Sequence, residues 1–224
     1  MMRLSIVLLA SLLATPILFG CKASGGEAVQ AQAAAGIAEF KASLVKGNSM
    51  LAASAESLKR LQASAKTDPR PGWTEWTNSV DALTSFANQI RANADEMRTN
   101  NAEYFRKWEE ELGTVTDPKI RQRANARRKL LTDRYEKLQA KAQEVKETYA
   151  SYNTQVHDLR KLISFDLTPK GIETAAPQID AVNKTSAQVQ KHITELLKQA
   201  EDVANELRSE TPVQGPPAQQ PKQE

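Results

Sequence analysis

Apolar and small residues recur along the chain at intervals that alternate between three and four, beginning with Ile37, Phe40, Leu44, Gly47, Leu51, Ser54, Leu58 and Leu61. Such spacing lines one narrow face of an α-helix and predicts a coiled-coil seam. The stripe stops at Thr67-Asp68-Pro69-Arg70-Pro71-Gly72, where prolines and a glycine break a helix. A second stripe runs through Trp76, Val80, Leu83, Ala87, Ile90, Ala94, Met97, Asn101, Tyr104 and Trp108, and Gly113 closes it. Asp117-Pro118 then supplies an N-cap and a first-turn proline for a third helix. Its stripe is Leu131, Tyr135, Leu138, Ala142, Val145, Tyr149, Tyr152, Val156, Leu159 and Ile163. Thr168-Pro169 opens a fourth, carrying Ile172, Ile179, Val182, Ser186, Val189, Ile193, Leu196, Ala200, Val203 and Leu207, with Pro177 expected to kink or restart it.

Short breaks between long stripes make consecutive helices antiparallel neighbours. The expected fold is therefore all-α: an elongated antiparallel coiled-coil bundle of four long helices over 37–209, with a left-handed supercoil. Helices of about 35 to 45 residues would give a rod roughly 55 to 65 Å long. The alternative is a three-helix core with a looser first helix, because Gly36 and Gly47 each weaken that helix by roughly 1 kcal/mol. Asn101, polar within a seam, is expected to set register. Residues 21–36, small and polar, read as a tether, and residues 210–224, rich in Pro and Gln, as a disordered tail.

Composition sharpens this reading. The 224 residues are 25% charged and 5% aromatic, with Ala, Glu, Lys, Leu, Gln and Arg dominant, which suits long solvated helices better than a sandwich or barrel. A formal charge of +3 gives no reason to expect nucleic acid as a partner.

The N-terminus has a different character. Arg3 precedes an apolar run from Leu4 to Phe19, broken by Ser5, Ser11, Thr15 and Pro16. It is too short and interrupted to span a bilayer and reads as a cleaved signal peptide over 1–20. The run ends in Leu18-Phe19-Gly20-Cys21, which resembles the lipobox of bacterial lipoproteins, with Phe19 an unusual occupant of its position. Cys21 is the single cysteine, so it has no disulfide partner in the chain. It is the expected lipidation site and the membrane contact, since two or three acyl chains hold a protein where one does so only marginally. By resemblance to enterobacterial lipoproteins, Lys22 points to the outer membrane rather than the inner, with the protein facing the periplasm.

Further along stand Ala102-Glu103-Tyr104-Phe105-Arg106-Lys107-Trp108-Glu109-Glu110-Glu111-Leu112, an arginine-rich run from Arg121 to Arg128, Arg134-Tyr135-Glu136-Lys137-Leu138, and the apolar Leu159 to Leu167. On these motifs the chain from about Ile37 to Leu207 resembles a family of Gram-negative envelope proteins of unknown function. The resemblance implies a coiled-coil lipoprotein, and no activity or functional residue comes with it.

No catalytic or ligand motif stands out along the chain. A di-iron bundle needs Glu-x-x-His on two helices, whereas Thr154 precedes His157 and Val189 precedes His192 at that spacing. Both histidines are expected beside the seams, and neither a metal site, a cofactor nor a catalytic residue is expected. The sharpest charge feature is Glu109-Glu110-Glu111 at the end of the second helix, facing Lys119, Arg121, Arg123, Arg127, Arg128 and Lys129 at the start of the third. Both runs oppose the helix dipole. Either they neutralise each other across the hairpin, or the surplus forms a patch for an anionic ligand or a partner. The functional expectation is a non-catalytic, lipid-anchored scaffold or interaction protein with an envelope protein as partner, and self-association through exposed seams remains open. The alternative is a lipid-binding or membrane-remodelling coiled coil acting through that basic patch.

Overall fold

A computed structural model describes residues 25–64 and 66–208. The leader over 1–20, Cys21 and the 210–224 tail lie outside the described residues. The helices are α1 (Gly25–Ser64), α2 (Arg70–Thr114), α3 (Pro118–Phe165), α4 (Pro169–Thr174) and α5 (Ala176–Arg208), and no strand occurs among the described residues. The all-α expectation holds. At 1.5 Å per residue α3 extends about 70 Å, which fixes the long dimension.

The helix boundaries follow local chemistry. The Asp117 carboxylate accepts hydrogen bonds from the backbone N–H groups of Lys119 (2.7 Å) and Ile120 (3.1 Å), with Pro118 in the first turn. The Thr168 hydroxyl accepts from the Gly171 N–H at 3.2 Å and opens α4. What was expected as one fourth helix is two: the chain breaks at Ala175 and restarts with Pro177 in the first turn of α5, where a missing N–H costs nothing. Arg70, Pro71 and Gly72 are likewise inside α2 rather than in the break, for the same reason.

Two expectations about the first helix are corrected. It starts at Gly25 rather than Ile37, so the described part of the 21–36 tether is helical. Ala31, Ala33, Ala34 and Ala35 are the strongest helix formers, and Ala33 is fully buried with Val29 and Ala34 packed beside it. Nor is α1 loosely attached. It packs against both α2 and α5, and every stripe position from Ile37 to Leu61 is buried. Its glycines serve close approach. A Cβ on Gly36 would lie 3.3 Å from the Met97 Cα, and one on Gly47 would lie 2.6 Å from the Ile90 Cδ1. The propensity lost at these positions is offset by bringing two helices together.

Three helix pairs carry the packing: α1 with α2, α1 with α5, and α3 with α5. Within them, contacts run in opposite chain order. Gly36 meets Asn100 and Gly72 meets Leu61 across α1 and α2. Lys141 pairs with Glu195 (3.0 Å), and the Thr185 hydroxyl bonds the Gln155 side chain (2.9 Å), across α3 and α5. The fourth pair, α2 with α3, makes few contacts although the two are consecutive in the chain. Asn101 is fully buried, and its side-chain amide donates to the Met97 carbonyl at 2.8 Å on its own helix.

Candidate functional site

The four stripes are not buried alike. Those of α1 and of α4–α5 are buried from one end to the other. On α2, Trp76, Val80 and Leu83 are buried, and so are Met97, Asn101 and Tyr104, but Ala87, Ile90 and Ala94 between them are only half-buried. On α3, Leu131, Tyr135 and Leu138 are buried, as are Tyr152 to Ile163, while Ala142, Val145 and Tyr149 are half-buried. The two seams thus lose their cover at the same height.

Between them lies a cleft of about 1020 Å³. Its walls are the middle of α2 from Leu83 to Arg98 and the middle of α3 from Tyr135 to Thr154, and its floor is Phe40, Leu44 and Leu51 of α1 with Val189, Ile193 and Leu196 of α5. Along α2 it extends about 22 Å. Ion pairs and rings close both ends. Arg160 reaches Asp81 at 2.6 Å beyond one end. At the other the Phe105 and Tyr135 rings stand 6.3 Å apart, and Arg128 reaches Glu109 at 2.8 Å. Small side chains at Ala87, Ala94 and Ala142 leave the space that larger ones fill elsewhere.

The floor is apolar and the rim is basic. Arg91, Arg98 and Lys146 line the cleft against the single acid Asp95. Arg91 donates to the Asn88 side chain at 2.9 Å and Arg98 to Asp95 at 2.7 Å, each within α2. Burial pushes the Tyr149 hydroxyl above its ordinary value, opposed by the Arg91 charge and the Thr84 side chain; burial also raises Tyr135, opposed by the nearby Gln139 side chain and the Arg98 charge. These two guanidinium groups therefore act across the cleft, toward α3.

The basic run at the start of α3 is largely engaged. Arg127 sits 5.8 Å from the Trp108 ring centroid, with a long 3.5 Å contact to the Glu206 carbonyl at the end of α5. Arg134 joins it there, donating to the Asp202 carbonyl at 3.3 Å and pairing with Glu206 at 3.4 Å. Cations at a helix C-terminus are favoured by the dipole, which accounts for the surplus over Glu109 to Glu111. Arg128 pairs with Glu109, Lys129 with Asp133 at 2.8 Å, and Arg121 donates to the Val115 carbonyl. Lys119 and Arg123 make no ion pair among the described residues and are exposed.

His157 is exposed, and the His192 Nδ1 is 3.0 Å from the Thr148 hydroxyl. Among the described residues no group of three or more His, Cys, Asp or Glu side chains could hold a metal ion, and no helix is long and apolar enough to cross a membrane. The cleft residues were not singled out from sequence. The signal available was alanine in the middle of two stripes, at Ala87, Ala94 and Ala142, with Arg91 and Arg98 seven residues apart beside them. No family model, curated protein or solved structure matches the chain.

Proposed function

We propose that the chain is a non-catalytic, lipid-anchored binding protein of the cell envelope, facing the periplasm, whose α2–α3 cleft receives its ligand. The observation supporting this is the coincident loss of cover at Ala87, Ile90 and Ala94 on one helix and Ala142, Val145 and Tyr149 on the other. A bundle selected only for rigidity would close this edge like the other three, since half-buried apolar groups forgo roughly half of the 25 cal/mol per Å² that burial gives. In this reading the fold is an antiparallel four-helix coiled coil with one edge splayed at mid-height. The anchor is Cys21, four residues before Gly25, hence within about 14 Å of the start of α1. Lys22 favours the outer membrane.

The test places a photo-crosslinking amino acid at Ala94 of the full chain in its own envelope, with the same group at exposed Thr194 on α5 as control. A discrete adduct from Ala94, absent from Thr194 and reduced by Cys21→Ser, is expected. An Ala94 position that traps nothing beyond the control would defeat the reading.

A second reading is favoured by one observation. Gln30 bonds the Leu207 carbonyl and Gly26 lies against Glu111, so the start of α1 shares an end with Lys119 and Arg123. Two unpaired cations near an anchored terminus suit anionic head groups, each worth about 1 kcal/mol. Charge reversal at Lys119 and Arg123 probes this without breaking the contacts that Arg127 and Arg128 make; loss of binding to anionic vesicles is the expected result.

A further inference from the structure

We propose that the ligand of the α2–α3 cleft is a free long-chain fatty acid, its chain along the apolar floor and its carboxylate at Arg91, Arg98 and Lys146. This rests on the reading that the cleft is a binding site and names its occupant.

Size suits a small molecule. The cleft holds about 1020 Å³, and small-molecule sites run to roughly 1000 Å³ and combine apolar walls with a few polar groups. Length agrees. Two leaflets make a hydrocarbon core of about 30 Å, so one acyl chain is about 15 Å long and fits within the cleft. Polarity agrees as well: the floor offers Phe40, Leu44, Ile193 and Leu196 to a hydrocarbon, while the hydrogen-bonding side chains Asn88, Gln139, Gln143 and Asn153 belong to the walls.

The head group follows from the rim. Three cations face one acid there, and that acid, Asp95, is on the same helix as both arginines. Arg91 and Arg98 lie two helical turns apart on one face, and a guanidinium presents paired donors that match a carboxylate. A large zwitterionic head group would bring a further cation to an already basic rim.

The experiment uses the chain from Lys22 to Glu224, which contains every described residue and thus the whole core. A dansyl-labelled fatty acid is titrated in, displaced with palmitate, and compared with its neutral methyl ester, while methyl-labelled methionine is followed by NMR. Met97 lines the cleft and Met50 packs elsewhere, so one methyl signal should move and the other stay. Expected are saturable binding displaced by palmitate, movement of Met97 alone, loss on filling the cleft with Ala94→Trp, and a fall of about tenfold for the acid but not the ester in Arg91→Glu/Arg98→Glu. Absence of saturable binding, an unmoved Met97 in the unaltered chain, or equal affinity for acid and ester would overturn the proposal, and the Met97 readout stands even if Ala94→Trp does not fold. If the Ala94 crosslinker in the envelope traps a protein while palmitate fails to bind, only the fatty-acid assignment falls; if it traps nothing, both fall.

Discussion

The α1–α2 and α2–α3 pairs are both consecutive antiparallel helices joined by a short turn, yet one is closed along its length and the other only at its ends. The closed pair uses glycine where backbones meet and large side chains where they part: Gly36 against Met97, then Trp76 and Leu58 fully buried. The open pair has alanine on both walls at mid-height, with no glycine to let the helices approach. Close packing needs either complementary bulk or the absence of a side chain, and Ala87, Ala94 and Ala142 provide neither. The α2–α3 edge is then held by its end contacts, Asp81 with Arg160 and Phe105 with Tyr135.

The sharpest way to break this comparison is truncation. Leu58→Ala, at a fully buried position, should cost about 3 kcal/mol, whereas Ile90→Ala, half-buried on the cleft wall, should cost about 1 kcal/mol; urea midpoints would show it, and equal losses would mean that the cleft closes in solution. Enlargement is the converse. Ala200→Leu, fully buried on α5, should overpack and cost about 1 to 3 kcal/mol, while Ala142→Leu should fit the cleft and leave Tm unchanged or slightly raised.

A smaller effect concerns alkaline pH. Burial pushes the Tyr152 hydroxyl up to about 12, against small opposing help from Ser54, and burial pushes Tyr104 to about 12 as well. The folded chain keeps these protons where the unfolded chain, titrating near 10, releases them. Stability is intact below pH 10 and falls as pH rises toward 12. Because both tyrosines belong to closed regions, the double variant Tyr104→Phe/Tyr152→Phe should flatten the profile in chemical-denaturation series; an unchanged slope would show that both are solvated. Smallest is Asp81→Ala, which removes an exposed ion pair worth about 0.5 kcal/mol or less. Global stability should barely change, while amide exchange at that end of α2 should speed up.

Much of this was legible in the residues. The three-four spacing marked the buried face of each long helix, because that period is a local property of one helix, and Asp117 and Thr168 marked two starts because a cap bonds backbone groups two or three residues away. The basic run from Lys119 to Lys129 was visible as charge but not as contact: that Arg127 leans on Trp108 toward the end of α5 depends on a helix nearly eighty residues distant. The break at Ala175 was anticipated as a kink or restart at Pro177, without a choice between the two.

By itself, then, the sequence determined that the chain forms long helices, where most of them end, and which face each one buries. Only the tertiary structure decided which of these faces close. Spacing is satisfied by alanine as well as by leucine, so it records direction and not volume; whether a seam fills depends on the summed side-chain bulk that four helices bring to one level. At mid-height on α2 and α3 that sum falls short, and the shortfall is the cleft.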